Sequence, residues 1–168
     1  MEAVVKIISG DYTNKTVIQN EIQYITNPNK TVGLIGGLGV TPFDPEKMIE
    51  QMICVKKGFD KYESGYRQIR HIVVSFHKKW NVTPQSAWAI AYEIAWYYAG
   101  KYQICFGIHQ NTDNLHIHFI QNTVSYIDGK LFSGGPLEFN KFQQYVNQVF
   151  GRFIPECACS AQEFFGEG

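Results

Sequence analysis

Cysteine is scarce. Four residues (Cys54, Cys105, Cys157, Cys159) among 168 are too few and too scattered for a disulfide framework. Cys157 and Cys159 are near neighbours, but no second pair stands at a zinc-site spacing, so reduced thiols are the simpler reading. No stretch approaches the roughly 20 apolar residues that a membrane span needs. The opening Met-Glu-Ala-Val-Val-Lys-Ile-Ile lacks the basic-then-apolar layout of a signal peptide, and a cytoplasmic protein with no membrane partner is expected. Nor is there a surplus of either charge: 15 basic residues face 15 acidic ones. That argues against non-specific coating of nucleic acid, because neutralising phosphates takes a basic excess. Repeats and low-complexity tracts are missing too.

What is present folds. Hydrophobic residues make up 45%, with 10 tyrosines and 12 phenylalanines, enough for one domain with a proper core over residues 1–168. A tail from about 152 to 168 is expected to be irregular. Val4 to Ile8 reads as a short strand. Thr16 to Thr26 suits a helix with Ile18, Ile22 and Ile25 on one face, ended at Asn27-Pro28 because the residue before proline disfavours the helical region. Gly33, Gly36, Gly37 and Gly39 read as a loop. Asp44-Pro45 looks like a capped helix start reaching about Lys57.

Gln68 to Phe76 is a strand rich in β-branched residues. Thr83-Pro84 opens a helix to Ala99, with Trp88, Tyr92, Ala95 and Ala99 along one stripe. Tyr102 to His109 and Leu115 to Val124 form an antiparallel pair joined by a polar turn, and Leu137 to Phe150 is a last helix. The fold class is α+β: an antiparallel sheet of about five strands with helices packed mainly on one face. The other face is left for the histidines.

Three of the five histidines lie within ten residues, in His109-Gln-Asn-Thr-Asp-Asn-Leu-His116-Ile-His118. Alternate side chains of a strand share a face, so His116 and His118 project together. His109 returns to the same place across the turn. Three imidazoles on a rigid sheet leave coordination positions open, the pattern of a catalytic metal site. Three neutral imidazoles suit Mn, Zn, Co or Ni, and a phosphate oxygen from substrate would make Mg workable as well. Asp113 and Asn111 in the turn either orient imidazole N–H groups or serve only the turn.

Tyr24 lies roughly 120° around the first helix from its isoleucine stripe at 100° per residue. It either packs half-exposed or presents its hydroxyl to a cleft. Lys56, Lys57, Lys61, Arg67 and Arg70 form a loose basic segment, and Lys78-Lys79-Trp80 adds an aromatic. These are solvated edges or phosphate contacts.

The His-x6-His-x-His strand followed by Asn122-Thr-Val, with Tyr24-Ile-x-Asn-Pro-x-Lys30-Thr near the start, resembles the relaxases. These are mobilisation nucleases of plasmids and integrative conjugative elements, and the likeness is to the HUH-type mobilisation-protein branch of Gram-positive bacteria. Arg70-His71-Ile-Val-Val-Ser75-Phe76, followed by Thr83-Pro84, adds to it, so that the likeness runs from about Ile7 to Phe150 in matching order. The family commonly carries an acidic residue where Asn111 stands.

The resemblance implies an HUH-like sandwich and metal-dependent, site- and strand-specific nicking and rejoining of single-stranded DNA at a transfer origin. It assigns Tyr24 as the nucleophile forming a 5′-phosphotyrosine, and His109, His116 and His118 as ligands to a divalent ion, Mn or Mg above all. Asp113 would orient a ligand or handle a proton. Lys30, Arg67, Arg70, Lys78 and Lys79 would contact phosphates, and Trp80 would stack a base. Relaxosome accessory and coupling proteins are the expected partners.

Other readings differ in their residues. A replication initiator or transposase of the same chemistry would use a tyrosine on the last helix, Tyr145. A three-histidine hydrolase or oxygenase acting on a small molecule would give Tyr24 no role. A catalytically idle scaffold would bind DNA equally well without metal.

Overall fold

Four short segments carrying β-branched or aromatic residues and one glycine-rich edge segment pair into one antiparallel sheet. The computed structural model describes residues 3–63, 65–110 and 113–157. Strand β1 (Val4–Ile8) forms one edge, and β3 (Ile69–Ser75), β5 (His116–Asn122), β4 (Ile104–His109) and β2 (Ile35–Leu38) follow in that order. Every neighbouring pair is antiparallel. The register puts Ser75 opposite His116, and His116 opposite His109.

Helices cover both faces, two on each, where the sequence suggested one face. One face packs Ile72, Val74, Phe106, Ile108, Ile117 and Phe119 beneath α4 (Pro84–Ala99) and α5 (Pro136–Phe153). The other packs Ile69, Cys105 and Ile120 beneath α1 (Thr16–Ile25) and α3 (Pro45–Gly58), whose Ile18, Ile22, Ile25, Met48 and Met52 are fully buried. The same face carries His71, His118 and His109, all buried, and His116, which is half-buried.

Local chemistry sets the helix ends. The Asp44 carboxylate accepts from Lys47 N and the Thr83 hydroxyl from Ser86 N, and each helix has proline in its first turn. α1 stops at Ile25, and Asn27 caps a one-turn helix, α2 (Pro28–Thr31). On α4 the buried residues are Ala87, Ile90, Ala91, Ile94, Ala95 and Tyr98, so of the expected stripe Ala95 is buried while Trp88, Tyr92 and Ala99 are half-buried at its edge.

The glycine segment expected to be a loop is edge strand β2. Gly36 sits where a Cβ would come within 2.6 Å of the Phe106 ring and the Tyr92 hydroxyl, so the strand closes over those aromatics only without a side chain. α5 continues to Phe153, and the rest of the expected irregular tail lies mostly outside the described residues, as do Asn111 and Cys159. Among the described residues no helix is long and apolar enough to cross a membrane.

Candidate metal centre and nucleophile

The three histidines converge as their spacing predicts. One ligand atom each from His109, His116 and His118 lies within 4.8 Å of the other two. The ring centroids stand 4.0 Å apart for His109–His118 and 4.9 Å for His116–His118. His109 ends β4 and His116 opens β5, so the adjoining strand ends supply all three rings.

Each ring is also held from behind. His109 Nε2 lies 3.0 Å from the Ile25 carbonyl and His116 Nδ1 lies 2.8 Å from the Asn114 carbonyl. A carbonyl only accepts, so both nitrogens must donate, which fixes the tautomers. Behind His118 stands another imidazole: His71 Nε2 is 2.8 Å from His118 Nδ1. His71 Nδ1 in turn faces Glu21 Oε2 at 3.6 Å. The described partners of the three rings are two carbonyls and His71, and Asp113 is not among them. Asp113 itself is exposed and lines a surface cavity beyond His116.

Burial sets the protonation of the cluster. Desolvation, reinforced by the neighbouring imidazoles, lowers His71 and His109 to about 4 and His118 further still. At neutral pH these rings are uncharged, as metal ligands must be. Burial raises the Glu21 carboxyl above its ordinary range. Neutral imidazoles, fixed tautomers and clustered ligand atoms make a donor set that fits a borderline divalent ion.

Tyr24 reaches this cluster from α1. It is 42% exposed, and its ring stands edge-on to His109 and His118 at centroid distances of 5.5 and 5.6 Å. The Lys30 ammonium lies 4.6 Å from the Tyr24 ring centroid, and Gln110 N donates to the Lys30 carbonyl, tying the segment to the end of β4. Close approach is possible because Gly107 has no side chain: a Cβ there would collide with the Ile25 carbonyl oxygen.

The basic residues separate into two groups. Lys78 and Lys79 are exposed, and Lys78 lines a cavity of about 430 Å³ with Lys6, Ser75, His77 and Asp113, next to His116. Lys6 was missed by the sequence reading, although its place on β1 opposite Val73 puts it on the histidine face. Arg67 is exposed and stacks on Tyr12, beyond the opposite end of β3.

Two residues expected to contact DNA are largely buried. Arg70 is 6% exposed on the other face, donating to the Tyr98 hydroxyl and Gln121 and pairing with Glu138. Trp80 is 6% exposed, packing edge-on against Phe150 and lining the cavity that also holds Lys6 and Lys78. Tyr145 also lies on that far face, donating to the Glu93 carbonyl at 2.6 Å, away from the histidines. Asn122 is buried as a clamp, donating to Met52 O and Gln103 Oε1.

Comparison with known proteins agrees with this geometry. The chain is 23% identical over 115 residues to Protein rlx of Staphylococcus aureus, an overlap covering 62% of this chain and 35% of that protein. The match thus spans about a third of the relative's length. A family model, the MobA/VirD2-like nuclease domain of relaxases, matches residues 24–152, from Tyr24 through all three histidines to the last helix, and the chain belongs to that relaxase family.

Proposed function

We propose that this domain nicks and rejoins single-stranded DNA at a transfer origin, using Tyr24 as nucleophile beside a divalent ion held by His109, His116 and His118. One observation carries the reading: Tyr24 is the tyrosine whose ring abuts two of the three clustered imidazoles. Family membership supports DNA as the substrate. A divalent ion at these imidazoles, Mn or Mg, would draw charge from a non-bridging phosphate oxygen and lower the barrier to displacement.

The chain's own groups do the rest. The Tyr24 oxygen attacks phosphorus in line, forming the phosphotyrosine bond as the P–O3′ bond breaks. The phenolic proton leaves to solvent, and the departing 3′ oxygen takes up a proton to become a hydroxyl. A cation close to the phenol favours attack by offsetting charge at the reacting centre. Lys30 stands there and would also offset phosphate charge. The phosphotyrosine keeps the phosphodiester's energy, so a 3′-hydroxyl can reverse the step without ATP. Lys78, Lys79 and Lys6 would carry the strand past His116, and Arg67 would meet phosphates further along. Accessory and coupling proteins would act on this complex in the cytoplasm.

The test uses a pool of end-labelled random single-stranded DNA with Mn. Wild type should give a denaturation-resistant adduct, and Tyr24→Phe none, with DNA binding retained. An adduct that survives in Tyr24→Phe and disappears in Tyr145→Phe would transfer the nucleophile to α5 and refute the assignment.

A further inference from the structure

Behind the proposed ligands stands a buried imidazole that packing alone does not require. His71 sits in the middle of β3 at 4% exposure, on a strand otherwise made of Ile, Val, one buried arginine and a terminal serine. An apolar side chain there would avoid the cost of burying an imidazole. Its two nitrogens face two different partners, Glu21 on α1 and His118 on β5.

We propose that Glu21 and His71 form a carboxylate–imidazole relay that fixes His118 as a metal ligand, which makes His71 a positioning residue of the centre. The direction of the relay follows from its outer end. A carboxylate accepts only, so the His71 nitrogen facing Glu21, Nδ1, carries the proton. His71 Nε2 is then an acceptor, and His118 Nδ1, 2.8 Å away, must donate to it. His118 Nε2 is left with a lone pair for the ion. Glu21 Oε2 stands at 3.6 Å from Nδ1, and Nδ1 has no hydrogen-bond partner at normal distance. A small side-chain adjustment of Glu21 closes that gap.

The other two ligand rings donate to backbone carbonyls, Ile25 O and Asn114 O, which the fold supplies without any further side chain. His118 lies in the interior of β5, where the backbone carbonyls are spent on the sheet. A side chain from the adjacent strand has to take that role, and His71 supplies it. A partner of this kind orients the ring and raises its basicity, and losing one costs about 10–100-fold in metal affinity.

The inference rests on the metal reading, and the experiment separates the two. In metal-free protein, long-range 1H–15N NMR of the imidazoles reports tautomers directly. His118 is expected in the Nδ1–H form in wild type and to lose that preference in His71→Leu. Mn affinity by calorimetry should fall about 10–100-fold in His71→Leu and recover at least partly in His71→Gln, whose amide oxygen can accept near the position of Nε2. Glu21→Gln, which keeps the packing, should weaken Mn by a smaller factor. Should His71→Leu fail to fold, the Gln and Glu21 variants and the wild-type tautomer still decide.

An Nε2–H tautomer in wild type, or unchanged Mn affinity in folded His71→Leu, overturns the relay. Wild-type protein that has the expected tautomer yet takes up neither Mn nor Co overturns the metal reading, and with it the relay's purpose.

Discussion

Gly107 is the position where one added methyl group should disable the proposed chemistry while sparing the fold. It lies on β4 opposite His118, and α1 ends directly above it. A Cβ at 107 would fall well inside the 3.0 Å that real Cβ atoms keep from other heavy atoms, against the Ile25 carbonyl oxygen, with Thr31 Cγ2 at 3.1 Å as well. The obstacle is backbone, so it cannot swing aside as a flexible side chain would. In Gly107→Ala the end of α1 must retreat by about 1 Å, and Tyr24, one residue before Ile25, retreats with it. The hydrogen bond from His109 to Ile25 O, now 3.0 Å, would open to about 4 Å, too long to survive.

A displacement of about 1 Å at a reacting group costs on the order of 100-fold in rate. Overpacking of this kind costs about 1–3 kcal/mol of stability. The assay is single-turnover adduct formation on a strand recovered from the wild-type adduct pool, alongside thermal melts. Gly36→Ala is the control. Its added methyl would also crowd, at 2.6 Å, but against Phe106 and Tyr92 on the far face. Gly107→Ala is expected to slow the adduct about 100-fold, and Gly36→Ala to lower the melting point with little change in rate. A folded Gly107→Ala that nicks within a few-fold of wild type would refute the argument, and so would equal losses in both variants.

Further outcomes follow from other residues. Lys56 is fully buried with one hydrogen bond, to Thr123 at 3.3 Å, and burial lowers its ammonium from 10.5 to about 7, so the folded state bears a cost of up to about 5 kcal/mol at and below pH 7. Stability should rise from pH 7 towards 10.5, because there the unfolded chain holds a proton that the folded one has shed; Lys56→Met should add about 2–4 kcal/mol at pH 7 and flatten that rise in urea melts. Arg70→Met should cost about 1–2 kcal/mol by removing the charged partner of Glu138 and leaving it the Tyr98 hydroxyl, yet leave the salt dependence of DNA binding unchanged. Lys78→Ala and Lys79→Ala should each reduce the slope of log affinity against log salt by about 0.7, measured by fluorescence anisotropy. Tyr145→Phe should leave adduct formation intact.

How far the sequence could be read depended on whether a feature was local. The period of two fixed the shared face of His116 and His118, and the caps at Asp44 and Thr83 marked two helix starts within a residue. β2 was illegible, because Ile35-Gly36-Gly37-Leu38 has little strand propensity of its own; pairing with β4 makes it a strand. His71 was hidden for a related reason. Its partnership with His118 arises from the register between β3 and β5, and no single strand displays it. Arg70 was misread although a signal was available: it alternates with Ile72 and Val74, both core residues, so period two alone put it on the apolar face. Trp80 gave no such signal, since its burial comes from a long-range contact with Phe150.

α1 links these features. Its isoleucines at 18, 22 and 25 cover the sheet, while Glu21 and Tyr24, three residues apart, fall on neighbouring positions of the helix surface and reach His71 and the His109–His118 pair respectively. One rigid element thus sets both the proposed nucleophile and the proposed relay, and its docking depth is set by Gly107. The three ligand rings depend on something else, the register of β4 against β5. Ligand placement and nucleophile delivery therefore respond differently: a perturbation that lifts the end of α1 should abolish cleavage but only weaken Mn binding, because all three rings keep their strand positions and His116 keeps its carbonyl from Asn114, while His109 loses that of Ile25.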